Sequence, residues 1–266
     1  MAVIMDGKHV AGIIKRAVKE TVAQFNAPPC LAIIKNDNDA ASAVYVKNKI
    51  KDCEEVGIGH IVYLQNANTK SMINTLNMDY EIDGIICQLP LIDDLNEKEI
   101  IHSISKSKDV DGFVSDYFDP CTPAGIMELL KYYKIEVAGK HCVVVGRSNI
   151  VGKPMAKMLL DADGTVTVCH SKTKNLAEIT RQADILVVAA GKRNLITADM
   201  VKDGVVVIDV GMNRDENGKL CGDVDFVNVE PKASYITPVP NGVGPMTRAM
   251  LLVNTVKACE NFWKNT

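Results

Sequence analysis

The chain has 266 residues, enough for two domains, and its 47% hydrophobic and 24% charged residues are an ordinary globular balance that excludes a disordered or collagen-like chain. A formal net charge of -3 leaves no basic surplus to neutralise a phosphate backbone, so no nucleic-acid partner is expected. No apolar run reaches about 18 residues and the first six residues turn polar too soon for a signal peptide, so no membrane association is expected and the cytoplasm is the expected location.

In chain order, the first half reads as strand 31–35, helix 40–55, strand 61–64, helix 71–78 and strand 84–88. Ser42, Tyr45 and Lys49 stand at i, i+3 and i+7 of the first helix, so their side chains share a face. That face reads either as an aromatic platform beside an amine or as a solvated helix edge, the latter favoured by Lys35, Lys47 and Lys51 nearby. Chance alone supplies Tyr-x-x-x-Lys pairs at this composition. Cys87-Gln88-Leu89-Pro90-Leu91 sets an amide and a proline at the end of an apolar strand, the edge where open α/β sheets bind ligands. Asp109-Val110-Asp111-Gly112-Phe113 is a short acidic turn or a plain Asp-Gly turn. Two prolines in Asp119-Pro120-Cys121-Thr122-Pro123 mark a boundary, with Thr122 expected to cap a helix that opens at Pro123 and runs to about residue 133.

The second half reads as strands 141–145, 165–169, 185–189, 205–210 and 235–237, again alternating with helices. Val143-Val144-Val145-Gly146-Arg147-Ser148-Asn149-Ile150-Val151-Gly152-Lys153-Pro154 is an apolar strand breaking into a glycine-bounded loop, with Gly152 and Pro154 opening a helix. A helix N-terminus offers free N–H groups to a pyrophosphate. The spacing is G-x-S-x-x-x-G rather than G-x-G-x-x-G, so the pattern alone leaves a dinucleotide turn and a purely structural turn both open. The next strand ends in His170-Ser171-Lys172-Thr173, with no carboxylate for ribose hydroxyls. Together with Arg147 these residues suit a 2′-phosphate and favour NADP over NAD, unless they are an ordinary wet loop. A Pro- and Gly-rich turn, residues 237–247, follows the last strand, and a terminal helix 248–263 carries one largely apolar side with Met250, Leu251, Val253, Asn254 and Val256.

The alternation of strands and helices throughout predicts α/β architecture with mostly parallel sheets. The eight cysteines form no C-x-x-C pair and the five histidines no ligand spacing, so reduced core thiols and no metal are expected.

These motifs together resemble the bifunctional methylenetetrahydrofolate dehydrogenase/cyclohydrolases, and the resemblance spans nearly the whole chain. It rests on Ser42-x-x-Tyr45-x-x-x-Lys49, Asp83-Gly84-Ile85-x-x-Gln88-Leu89-Pro90-Leu91, Lys108-Asp109-Val110-Asp111-Gly112-Phe113, Pro120-Cys121-Thr122-Pro123, Gly146-Arg147-Ser148-x-x-Val151-Gly152-x-Pro154 and the turn from Thr237 to Thr247. One departure is visible: the family reads Pro-Gly-Gly-Val-Gly-Pro-Met-Thr where this chain has Asn241 for the first of those glycines. Asn tolerates a left-handed backbone better than other non-Gly residues, so the turn is expected to survive.

The resemblance implies an N-terminal α/β catalytic domain, residues 1–121, to which a terminal helix 247–266 returns, and a Rossmann-type NADP-binding domain, residues 122–246. A substrate cleft between the two domains is expected, as is a homodimer. The implied reactions are NADP-dependent oxidation of 5,10-methylenetetrahydrofolate and hydrolysis of the methenyl product to 10-formyltetrahydrofolate. Lys49, Gln88 and Tyr45 take the catalytic roles: Lys49 as the base of hydrolysis, Gln88 aiming its amine, and Tyr45 as the surface on which folate packs. Ser42, Leu89, Pro90, Asp111, Pro240 and Gly242 join them around the substrate, Asp111 hydrogen-bonding the pterin N–H groups. Gly146, Arg147, Ser148, Val151 and Gly152 fall on the phosphate turn, His170 and Ser171 on the 2′-phosphate region, Ile236 and Thr237 near the nicotinamide, and Gly191 among the cofactor-binding residues. A lysine of ordinary pKa, about 10.4, is charged at pH 7, and burial or a neighbouring cation favours the neutral form that a base requires. Alternatives are a dehydrogenase with weak cyclohydrolase and a nucleotide-binding regulatory module without catalysis. A short-chain dehydrogenase also uses Tyr-x-x-x-Lys, but with its glycine motif at the N-terminus, the reverse of the order here.

Overall fold

A computed structural model describes the backbone of residues 1–264 and all of their side chains except those of residues 40, 41 and 261–264. The first half runs β1 (Val3–Ile4), α1 (Gly7–Val22), β2 (Cys30–Lys35), α2 (Ala40–Val56), β3 (Gly59–Leu64), α3 (Thr69–Met78), β4 (Gly84–Cys87), α4 (Glu97–Ser103) and α5 (Cys121–Tyr132). There follow β5 (His141–Val145), α6 (Gly152–Asp161), β6 (Thr165–Cys169), α7 (Leu176–Thr180), β7 (Ile185–Val188) and β8 (Val206–Asp209). The chain ends with β9 (Asn213–Arg214), β10 (Leu220–Cys221), α8 (Phe226–Val229), β11 (Tyr235–Ile236) and α9 (Val243–Lys264).

Two compact units result, one of residues 12–121 and 248–266, the other of residues 1–11 and 122–247. In the first, β2 lies between β3 and β4 in a three-stranded parallel sheet. Its central residues Leu31, Ala32, Ile33 and Ile34 are all fully buried, as a strand covered on both faces requires. Ile34, Ile85, Ile73, Leu76 and Ile100 share one apolar cluster under α3 and α4. Burying each such side chain stabilises by about 1.5–3 kcal/mol, so α3 and α4 are held by packing rather than by propensity. Asp39 starts α2 by accepting the Ser42 N–H, and Gly57 stops it in a left-handed conformation, its N–H donating to the Cys53 carbonyl at 2.9 Å.

The second unit holds a six-stranded sheet, β1-β11-β8-β7-β5-β6, parallel throughout. The β-branched runs of β5, β7 and β8 are again buried on both faces, with Val143, Leu186, Val207 and Ile236 in one core. A small antiparallel hairpin, β9 with β10, turns the chain back toward the end of β8.

Three sequence expectations change. Residues 1–11, expected with the first domain, group with the second unit because β1 pairs with β11, Val3 against Tyr235 and Ile4 against Ile236. Thr122 is not a cap, since α5 already begins at Cys121 and the Thr122 hydroxyl pairs with the Thr247 hydroxyl at 3.0 Å. The terminal helix starts at Val243, five residues early, and is buried on more than one side: Leu251, Leu252, Asn254, Thr255 and Cys259 are all at most 2% exposed. Among the described residues no helix is long and apolar enough to cross a membrane.

Candidate functional site

In the first unit the strand ends gather the polar groups. The Gln88 N–H donates to the Ile34 carbonyl at 2.8 Å, extending the pairing of β2 with β4 by one residue. Beside β4 the chain returns at Asp109, in a parallel bridge with Ile85, which carries Asp111 toward the same sheet edge. α2 leaves the β2 end through Asp39, so Ser42 in its first turn belongs to that edge too. Tyr45 is half-buried, and Lys49, two turns along the same face as Ser42, is 8% exposed. Lys49 lies within electrostatic reach of Cys53 and Cys121, and the Cys121 N–H donates to the Asp111 carbonyl at 3.1 Å.

Buried polar groups in a finished fold normally have partners. Here several do not. Ser42 Oγ and Gln88 Oε1 are buried without a hydrogen bond among the described residues. The Asp111 carboxylate, on a residue 9% exposed, accepts no hydrogen bond from the described residues, and Lys49 has no carboxylate within ion-pair distance among them. Desolvation of this kind is costly unless a ligand supplies the missing partners. The Gln88 amide donates to the Leu89 carbonyl at 2.9 Å, and the Leu89–Pro90 peptide is cis. Leu89 is partly buried and Pro90 exposed.

Burial disfavours the thiolate form of the cysteines beside this site. Burial pushes Cys87 and Cys53 up to about 12, with Asp111 adding to the effect at Cys87. Cys121 is raised well above the ordinary thiol range, by burial first and then Asp111, against a smaller opposing effect of Lys49. A thiol held neutral neither attacks carbon nor binds metal readily. Among the described residues no group of three His, Cys, Asp or Glu side chains is placed to hold a metal ion.

In the second unit β5 lies between β6 and β7, so the chain passes from β5 to β6 on one side and then crosses back to β7 on the other, the place where parallel sheets open a crevice at their carboxyl ends. Gly146 sits there at φ +131°, and a Cβ on it would meet the Ala189 carbonyl oxygen at 2.2 Å. Only glycine lets the loop pass so close to β7. Ser148 Oγ accepts from the Val151 and Gly152 N–H groups at 3.2 and 3.3 Å, holding the first turn of α6. Arg147 and Ser148 are exposed, Gly152 is buried and Val151 lies between. These features fit a dinucleotide phosphate at the α6 N-terminus.

At the end of β6 the His170 Nδ1 accepts from the Lys172 N–H at 3.1 Å, leaving Ser171 and Lys172 exposed. No carboxylate stands between His170 and Thr173, which fits a 2′-phosphate. Gly191, at φ +65°, follows β7, while Ile236 and Thr237 are fully buried at the end of β11. Pro240 and Gly242 lie in this second unit, Pro240 after a cis Val239–Pro240 bond and Gly242 buried under the turn. Asn241 takes φ +79°, the left-handed conformation expected of it, and its carbonyl caps α1 by accepting the Lys8 N–H at 3.0 Å.

Sequence reasoning missed what holds these strand ends in place. Asp209 Oδ1 accepts from the Gly211 and Asp223 N–H groups at 2.9 Å each, and its Oδ2 from Val224 at 2.9 Å. Asp223 Oδ2 in turn accepts from Ala190 at 2.6 Å and Gly191 at 2.9 Å. The Thr237 hydroxyl completes the set by accepting the Asp209 N–H at 2.7 Å. Two buried acids thus tie together the loops after β7 and β8 and the segment at Asp223 and Val224, and the Thr237 hydroxyl joins the end of β11 to them. Burial raises the Asp209 carboxyl to about 6, against the opposing pull of those N–H bonds. The available signal was Gly211 and Gly222: a Cβ on Gly222 would stand 1.8 Å from Asp209 Oδ2. Gln65 was missed likewise; its amide donates to the Gln88 carbonyl at 2.8 Å and accepts from Ile92 at 3.0 Å, clamping the cis-proline loop.

Comparison with known proteins agrees with both halves. Residues 5–111 match the family model for the tetrahydrofolate dehydrogenase/cyclohydrolase catalytic domain, and residues 120–263 the one for its NAD(P)-binding domain. A bifunctional protein FolD of Campylobacter hominis is 53% identical, over 97% of each chain. Among solved structures, the bifunctional FolD methylenetetrahydrofolate dehydrogenase/cyclohydrolase of Campylobacter jejuni superposes with a TM-score of 0.95 at 50% identity, over 98% of this chain and all of the other. The Trypanosoma brucei methylenetetrahydrofolate dehydrogenase-cyclohydrolase, solved with NADP cofactor and an inhibitor, superposes at 0.93 with 34% identity, over 99% of both chains.

Proposed function

The chain belongs to the tetrahydrofolate dehydrogenase/cyclohydrolase family, and from that premise we propose that the polar groups around Lys49 form one folate site serving two reactions. The reactions are NADP-dependent oxidation of 5,10-methylenetetrahydrofolate and hydrolysis of 5,10-methenyltetrahydrofolate to 10-formyltetrahydrofolate. The observation that carries the site is Lys49 itself, buried on a helix face with Ser42 and without a carboxylate partner among the described residues.

Bound NADP supplies the hydride acceptor of the first reaction. Oxidation needs no protein base, so the residues act here by holding and orienting. Asp111 accepts the pterin N–H groups, and the Tyr45 ring gives the folate a flat apolar surface. Gly146, Ser148, Val151 and Gly152 receive the pyrophosphate at the α6 N-terminus, and Arg147 in the same turn reaches for the 2′-phosphate. His170 and Ser171 take the 2′-phosphate, and Gly191, Ile236 and Thr237 flank the nicotinamide.

Hydrolysis does need a base. Water adds to the cationic methenyl carbon while Lys49 Nζ takes one of its protons. The bond from that carbon to N5 then breaks, its electron pair stays on N5, and the Lys49 ammonium returns a proton there. The second water proton leaves to solvent as the formyl group forms on N10. An amine already paired with a carboxylate would be fixed as ammonium, so the absence of such a partner among the described residues suits this role. Gln88 Oε1, buried and unpaired among the described residues, is the acceptor that aims the water or the amine. Ser42, Leu89 and Pro90 line the same edge; of the remaining substrate candidates, Pro240 and Gly242 lie on the rigid turn of the second unit.

If one site serves both reactions, Asp111→Asn raises KM for methylene- and methenyltetrahydrofolate by the same factor, about tenfold from loss of a charge-assisted hydrogen bond. Unequal factors in steady-state assays of the two reactions would require separate sites.

The domain limits that suit this reading are a folate domain of residues 1–121 with 247–266 and an NADP domain of residues 122–246, adjusted for the pairing of β1 with β11. A homodimer is part of the same proposal, supported by β3, an edge strand that leaves Ile61, Val62 and Leu64 exposed. A cytoplasmic enzyme without a nucleic-acid partner accords with eight free thiols and a net charge of -3.

A further inference from the structure

Asn254 is 1% exposed in the middle of α9, and unlike its buried polar neighbour Thr255, whose hydroxyl donates within the helix to the Leu251 carbonyl, it bonds outside the helix. Its Nδ2 donates to the Val110 carbonyl at 2.9 Å and to the Asp119 carbonyl at 3.0 Å, with Cys121 Sγ at 3.6 Å. Two N–H bonds and two close carbonyl acceptors account for the whole donor capacity of the amide.

Both carbonyls belong to the loop that carries Asp111. Val110 immediately precedes it. Asp119 lies where the returning chain crosses Gly112, whose φ is +75° and on which a Cβ would meet the Asp119 carbonyl oxygen at 2.7 Å. Within the loop, Asp109 Oδ2 accepts the Val114 and Ser115 N–H groups at 2.7 and 2.9 Å, and the Cys121 N–H closes onto the Asp111 carbonyl. Those contacts are local. The Asn254 bonds reach 144 and 135 residues along the chain and fasten both limbs of the loop to a long, buried helix.

We propose that Asn254 is a positioning residue for folate: by holding the carbonyls of Val110 and Asp119, it sets the Asp111 carboxylate where the pterin N–H groups meet it. This rests on the reading of Asp111 as the pterin acceptor. The Asp111 carboxylate has no hydrogen-bond partner among the described residues despite its burial, so backbone placement is what fixes its position. An apolar residue at 254 would remove the one long-range side-chain donor shared by the two limbs, leaving the buried Val110 carbonyl only the weak Cys121 thiol donor at 3.2 Å and the part-buried Asp119 carbonyl free to turn to water, so the loop would shift.

The test is a double-mutant cycle in the full-length protein with Asn254→Leu and Asp111→Asn, singly and together. Tetrahydrofolate binding is measured by calorimetry, and kcat and KM for both substrates by steady-state assay. Asn254→Leu should weaken tetrahydrofolate binding about tenfold, leave kcat within about twofold and leave the NADP KM unchanged. In the Asp111→Asn background the same change should have less than about a twofold effect, because residues acting through one contact are not additive. Asn254→Ser keeps one donor and should lose less; it carries the same cycle if the leucine variant does not fold. Folate binding unchanged in both Asn254 variants, while Asp111→Asn weakens it, overturns the proposal and spares the role of Asp111. Equal weakening in both backgrounds also overturns it, since that marks a general structural effect. Unchanged binding in Asp111→Asn removes the reading on which the proposal stands.

Discussion

Arg147 is the residue whose role is most sharply tied to cofactor choice. It is exposed in the turn after β5, and no acid stands at the end of β6 to receive ribose hydroxyls. Arg147→Ala should therefore raise KM for NADP by about tenfold or more and leave KM for NAD nearly unchanged, a comparison made by steady-state kinetics with each cofactor. Equal effects on both would remove the 2′-phosphate contact. At this scale the sequence was informative where chemistry sits on a local pattern: Ser42, Tyr45 and Lys49 share a face because three and seven residues span one and two helical turns. It was silent on Asp209, Asp223, Gln65 and Asn254. Their partners are backbone groups brought close only by folding, such as the Ala190 N–H for Asp223 and the Val110 carbonyl for Asn254. No spacing rule exposes such pairs.

The β5–α6 turn depends on an absent side chain. Gly146→Ala places a Cβ about where the Ala189 carbonyl oxygen already is, and the positive φ adds strain for any L-residue. NADP binding measured by fluorescence titration should weaken at least about tenfold; binding within twofold of the parent would mean that the turn is not the phosphate cradle. The strands were readable because β-branched runs such as Val143-Val144-Val145 suit burial on both faces. Helix ends were not. Ser148, four residues before the start of α6, accepts the Val151 and Gly152 N–H groups there, and α5 and α9 begin before the Thr and Pro signals that announce them. Residues 7–22 received no element from the sequence, although Val10, Ile14, Val18 and Val22 recur every fourth position, the helical period that α1 then follows.

For the whole molecule, burial raises the carboxyls of Asp109 and Asp209 from an ordinary 3.8 to about 6. Between those values the folded protein binds more protons than the unfolded chain. The contribution of these groups to stability is therefore greatest below about pH 4 and is lost as pH rises through 6, by on the order of 2–3 kcal/mol each. Thermal melts at about pH 5 and 7 should show a larger fall in stability for the parent than for Asp209→Asn, and parallel falls would contradict the raised carboxyl. The central claim, that Lys49 is the base of hydrolysis and not of oxidation, is tested most directly by giving Lys49→Met NADP and methylenetetrahydrofolate and following the methenyl and formyl products separately. The account predicts that NADPH still forms, that methenyltetrahydrofolate accumulates, and that its enzymic conversion to 10-formyltetrahydrofolate falls at least about a hundredfold. Formyl product appearing at the parent rate would contradict it.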